Sequence, residues 1–111
     1  MNEKRQAAKI RELNDRLRKT GRGGRMMMTR GVQALGEKAI ANIIAAIGAF
    51  DKFTKDNDPY GEHDFAKVVV DGVAVFFKVD YYDKGLEFAS PNPADNLVTE
   101  RVMTIMLTDE Y

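Results

Sequence analysis

The sequence predicts an α+β domain: an N-terminal basic helix, a short strand and a long core helix packed on an antiparallel sheet of about four strands. Three observations carry this. Apolar residues recur at three- and four-residue spacing from Val32 to Phe53, which puts them on one face of a helix. Two β-rich runs, Phe65 to Val70 and Val73 to Tyr81, are joined by Asp71-Gly72, a dipeptide that suits the left-handed turn of a tight hairpin. The chain has 111 residues and a hydrophobic fraction of 44%, enough for one core without covalent staples.

The elements follow in order. Asn2 to Thr20 reads as a helix with one narrow apolar stripe, Ala7, Ala8, Ile10, Leu13 and Leu17, and charge nearly everywhere else; such a helix lies on a surface. Gly21-Arg22-Gly23-Gly24-Arg25 ends it as a flexible basic hinge, since glycine closes helices and frees the backbone. The chain thus divides into a basic helix or arm over 1–22 and a single α+β domain over 23–111. Met26-Met27-Met28 reads as a short buried strand. Thr29 is a candidate N-cap for one helix from Gly31 to Phe53. Thr54 to Asp64 is a polar loop. In the second hairpin strand Val73, Val75, Phe77, Val79 and Tyr81 share a face toward that helix; Phe76 on the other face is expected under the first helix. Leu86 to Phe88 is a candidate third strand, and Val98 to Leu107 a closing one with Met103, Ile105 and Leu107 on one face.

Composition excludes several chemistries. Without cysteine there is no disulfide, thiolate catalysis, or cysteine-ligated zinc or iron–sulfur centre. The most apolar stretch, Ala39 to Phe50, is broken by Asn42 and Gly48 and too short to span a bilayer. No apolar run follows the first residues, so no secretory signal is read there and the expected location is cytoplasmic. Net charge is zero, but residues 1–30 hold ten Lys/Arg against three Asp/Glu, and 31–111 hold seven against fourteen. That asymmetry of +7 and −7 speaks of partners, not of fold.

The densest polar cluster is Asp56-Asn57-Asp58-Pro59-Tyr60-Gly61-Glu62-His63-Asp64. Set on a calcium-binding EF-hand loop, Asp56, Asp58, Gly61 and Asp64 take ligand and turn positions. Tyr60 and Lys67 then occupy two others, and a lysine replaces the bidentate glutamate that closes the loop, so no metal is assigned. The plain alternative is a loop whose Asx side chains hold their own backbone. His63, the only histidine, lies beside Glu62 and Asp64 in the manner of a carboxylate-oriented general base; no nucleophile accompanies it, and neither catalytic residues nor cofactors are assigned. Gly21 to Gly24 lacks the Gly-Lys-Ser/Thr of a phosphate loop and follows a helix. Arg11, Arg16, Arg18, Lys19, Arg22 and Arg25 are candidate phosphate contacts, without interleaved aromatics. Tyr82 and Asp83, at a strand end, pair an aromatic anchor with an acid.

The runs Asp56 to Phe65, Lys78 to Asp83 and Arg101 to Tyr111, with Ile10 to Asp15 and Gly23-Gly24-Arg25, resemble an uncharacterised family, the domain of unknown function DUF3768. The resemblance runs from about Ile10 to Tyr111. It implies a protein of plasmids and phage-like elements, found near anti-restriction genes, and hence an anti-defence role. The expectation is a stoichiometric inhibitor, not an enzyme, that binds a CRISPR effector or a restriction enzyme and stands carboxylates in for phosphates. Its contact residues would be Asp56, Asp58, Tyr60, Glu62, His63, Asp64, Tyr82 and Asp83. Two alternatives stay open: a nucleic-acid-binding accessory protein using the basic helix, and a small metal-dependent enzyme built on the His63 loop.

Overall fold

The computed structural model describes residues 2–111; Met1, the first residue of the expected 1–22 arm, lies outside them. Helix α1 spans Glu3–Thr20, strand β1 Arg25–Met28, the short α2 Arg30–Gln33, α3 Glu37–Ala49, β2 Phe65–Val70, β3 Val73–Tyr82 and β4 Glu100–Leu107, followed by a 3-10 turn at Thr108–Glu110. Asn2 caps α1 by accepting from the Arg5 N–H at 2.9 Å, and Gly21 closes it at φ 74°, a conformation glycine adopts without strain.

The expected α+β architecture is present, with differences that have local causes. Strand order is β1-β4-β3-β2, and β2, β3 and β4 pair antiparallel. β1 pairs parallel with β4, Met26 opposite Met103, so the sheet is mixed where an antiparallel one was expected. No hairpin links these two strands, and helices cross between them, so turn geometry does not set their direction. The single helix expected over 31–53 is two, because Gly36 at φ 92° interrupts it, and Phe50 is already extended. Phe50 and Phe53 therefore leave the helix but still reach the core, edge-on to the Phe77 ring at 6.2 and 6.3 Å. Leu86 to Phe88 forms a tight turn, not a third strand. The Asp83 carboxylate accepts from the Glu87 and Phe88 N–H groups, and the only pairing there is one bridge, Tyr82 to Ala89.

The helices pack on one face of the sheet. Val32, Ile43 and Ile47 meet Ala66, Val68, Val75, Phe77, Val79, Met103 and Ile105 in one cluster. Leu17 of α1 belongs to it with no exposed surface, so α1 is packed into the same body as residues 23–111. Truncating such a side chain to alanine costs about 2–5 kcal/mol. On the opposite face Phe76 is covered not by α1 but by Phe65 and Tyr111, with ring centroids 4.9 and 5.5 Å away. Among the described residues, no helix is long and apolar enough to cross a membrane.

Candidate functional site

The 54–64 loop is held by its own Asx side chains. Asn57 Oδ1 accepts from the Thr54 N–H at 2.7 Å, and its amide donates to the Lys52 carbonyl at 2.9 Å. Both Asp58 carboxylate oxygens accept from the His63 N–H at 3.2 Å. That clasp fixes the tight bend in which Gly61 takes φ 70° and His63 φ 55°.

The loop is also tied to α1. Arg11 donates to the Gly61 carbonyl at 2.9 Å, and the Asn14 amide donates to the Glu62 carbonyl at 3.0 Å and to the Tyr81 hydroxyl at 2.9 Å. The Tyr81 hydroxyl in turn donates to Glu62 Oε1 at 2.8 Å. Behind this lies Arg101, fully buried, whose guanidinium donates to Asn14 Oδ1 at 2.6 Å, to the Pro93 carbonyl and to Asn96 Oδ1, and sits 5.0 Å over the Tyr81 ring. These partners are neutral. Burial pulls the Arg101 pKa below its ordinary value, while Tyr81 and Glu62 oppose that shift. Burial pushes the Tyr81 phenol above its ordinary value; it stays a neutral hydroxyl that can both accept and donate.

A second cluster joins α1, α3 and the loop. Arg18 is 3% exposed and donates to the Ile47 and Phe50 carbonyls at 2.8 Å, closing the C-terminal end of α3, where unpaired carbonyls favour a cation. The same guanidinium pairs with Asp15 at 3.0 Å. Asp15 Oδ1 lies 2.9 Å from His63 Nδ1, and Asp58 Oδ2 lies 3.7 Å from His63 Nε2. The His63 ring stacks on Phe53 with centroids 3.8 Å apart. Asp64 is raised above its ordinary pKa by burial first and then by Glu62. Among the described residues, no three His, Asp or Glu side chains converge as a metal-ligating group.

The candidate contact residues therefore separate. Asp58 is buried, and its carboxylate is used inside the loop; it is not available as a docking residue. Glu62, His63 and Asp64 are half-buried, and Asp83 caps its own turn. Asp56, Tyr60 and Tyr82 are exposed. Of the basic candidates, Arg18 is buried, Arg11 serves Gly61, and Arg25 pairs with Glu100 at 3.4 Å, while Arg16, Lys19 and Arg22 are exposed. The loop and the 83–89 turn share one end of the sheet: Val79 donates to the Asp64 carbonyl, and Asp83 donates to the Phe88 carbonyl, both at 2.8 Å. There a groove of about 430 Å³ opens between the first half of α1 and the loop, lined by Lys4, Ala7, Ile10, Pro59, Tyr60 and Glu62.

Sequence reasoning passed over Asn14, Asp15, Arg101 and Phe88. Two of these had a signal. Arg101 is in phase with Met103, Ile105 and Leu107, and Asn14 falls on the stripe of Ile10, Leu13 and Leu17; a polar residue in phase with a core is one that a partner must satisfy.

A protein-family model, described as "Protein of unknown function (DUF3768)", matches residues 28–110, a shorter span than the resemblance read from Ile10. No curated protein and no solved structure matches the chain.

Proposed function

The chain belongs to the DUF3768 family of proteins of unknown function, and we propose that it is a protein-docking module: a stoichiometric inhibitor that binds a host nuclease system, either a CRISPR effector or a restriction enzyme. The docking surface is the end of the domain built by the 54–64 loop and the 83–89 turn. We infer the setting from the resemblance: a mobile-element protein acting in the cytoplasm.

The observation that supports docking is Phe88. The residue is 70% exposed, yet its backbone is held by the Asp83 carboxylate and by the bridge beside it. A large apolar ring standing in water on ordered backbone costs little further entropy when it binds. Tyr60, 79% exposed on the clasped loop, is a second such anchor. Asp56 and Glu87 are exposed acids on the same two segments and suit a partner surface that is basic, as nucleic-acid paths are. With Asp58, Glu62 and Asp83 engaged internally, the anchors are aromatic and the carboxylates form a rim, which is less than full phosphate mimicry.

The alternative of nucleic-acid binding by the basic helix keeps Arg16, Lys19 and Arg22 exposed, with Lys4, Arg5 and Lys9 exposed beside them, but Arg18 is buried, Arg11 and Arg25 are engaged, and no aromatic residue stands among these cations for bases to stack on. The alternative of an enzyme at His63 has less behind it, since both ring nitrogens already face carboxylates. The test is affinity capture of the tagged protein from nuclease-treated host lysate. A nuclease or defence-complex subunit recovered near equal stoichiometry supports the proposal; recovery of proteins only when the nuclease treatment is omitted removes it.

A further inference from the structure

The helices occupy one face of the sheet, and the residues facing the other way form a pattern of their own. In the β2–β3 register Phe65 pairs with Lys78 and Lys67 pairs with Phe76. Directly paired residues project from the same face, so these four make a two-by-two block with rings on one diagonal and ammonium groups on the other. The two ring centroids are 4.9 Å apart. Tyr111, 73% exposed, stands steeply against both rings at 5.7 and 5.5 Å. Lys67 is exposed, and Lys78, whose side chain is 41% exposed, lies 3.4 Å from Asp80. The face continues through Thr104 to Met27, which is 53% exposed, and to Arg25 beyond.

We propose that this face is a stacking platform for a single strand of nucleic acid, presented by the exposed Tyr111 ring where it stands on Phe65 and Phe76, and flanked by Lys67 and Lys78. An unpaired strand offers what the block asks for: flat rings to lie on rings, and phosphates spaced between them for the ammonium groups. A protein partner fits less well, because covering the rings would strip water from two lysines, a residue type depleted in interface cores. A duplex fits less well, because its base faces are already stacked on one another. The platform reads rings and phosphates, not the sugar, so it accepts DNA and RNA strands alike. It lies across the sheet from α1 and is independent of the docking surface proposed above.

The test is fluorescence polarisation with a labelled oligothymidylate of about 15 nucleotides at about 50 mM salt, and with the matching oligouridylate and a duplex. Binding of both single strands within a few-fold of each other, weaker binding of the duplex, and a fall in affinity with rising salt support the platform. Lys67→Glu, an exposed change that leaves the core intact, should weaken binding about tenfold, and Phe76→Leu, which keeps apolar bulk and removes the ring, by a similar factor. Arg16→Glu/Lys19→Glu on α1 and Phe88→Asp should each leave it unchanged. The inference is overturned if the wild-type protein binds no strand at low salt, if duplex binds as well, or if the α1 double variant abolishes binding while Lys67→Glu does not. Because Phe88→Asp is a control here, failure of the platform and failure of the docking proposal are separate results.

Discussion

Arg101 Nη1 donates to Asn14 Oδ1 at 2.6 Å, joining β4 to α1 across 87 residues of chain with both side chains fully buried. Asn14 faces three ways at once, accepting from Arg101 and donating to the Glu62 carbonyl and the Tyr81 hydroxyl. One amide on α1 therefore positions the loop, the strand end and the buried cation together.

Removing that amide should be costly. Asn14→Leu keeps an apolar-compatible volume on the stripe but leaves a buried guanidinium and a carbonyl without their partner, which should cost about 2–4 kcal/mol. Urea unfolding at neutral pH measures it; a loss below about 0.5 kcal/mol, the usual surface range, would show that the network is not what fastens α1.

Gly24 is held to glycine by its neighbours. A Cβ there would run into the Arg101 carbonyl oxygen and meet Leu17 Cδ2 at 2.9 Å. Gly24→Ala should destabilise the protein by about 1–3 kcal/mol, the usual range for overpacking, whereas Gly72→Ala meets open space and is limited only by its positive φ of 80°. Thermal unfolding of the two variants side by side separates a steric effect from a conformational one.

Glu110 joins the end of the chain to the β1–α2 junction. Its carboxylate accepts from the Thr29 hydroxyl at 2.6 Å, from the Leu107 N–H at 2.8 Å and from the Gly31 N–H at 3.1 Å. The bond from Thr29 is the largest cause holding its pKa below the ordinary 4.5. A depressed carboxylate contributes stability that is present above the unfolded pKa and lost as pH falls through the folded one. Glu110→Gln should therefore flatten the acid limb of the stability curve below pH 4.5. Asp64 runs the other way: its raised pKa means that burial penalises the folded state as pH rises above 3.8, so Asp64→Asn should gain on the wild type between acid and neutral pH. Chemical denaturation at several pH values checks both signs.

The fold class was legible because its signals are periodic. The Asp71-Gly72 hairpin, the alternation through β3 and the apolar stripe of α3 each follow from local spacing. The parallel pairing of β1 was not legible, since strand direction there depends on a crossover, not on a turn. Gly36 broke a helix whose apolar period runs straight through it, because periodicity reports a face and not the backbone at one residue. At the candidate site the acids were visible, but their engagement was not. Asp58 and Asp83 look alike in sequence to any exposed acid, and only the bend around His63 and the turn before Phe88 show that their oxygens are already occupied. Phe88 read as a strand residue and is instead the most exposed of the chain's phenylalanines.

The central claim is that the end of the domain carrying Phe88 and Tyr60 binds another protein. The direct measurement is parallel capture from nuclease-treated host lysate with tagged wild type, Phe88→Asp and Tyr60→Ala, each first shown to unfold within about 0.5 kcal/mol of wild type as exposed substitutions do. The account predicts one partner near equal stoichiometry with the wild type, lost with Phe88→Asp and reduced with Tyr60→Ala. Retention of the same partner at wild-type yield by both variants, or capture of none by the wild type, would contradict it.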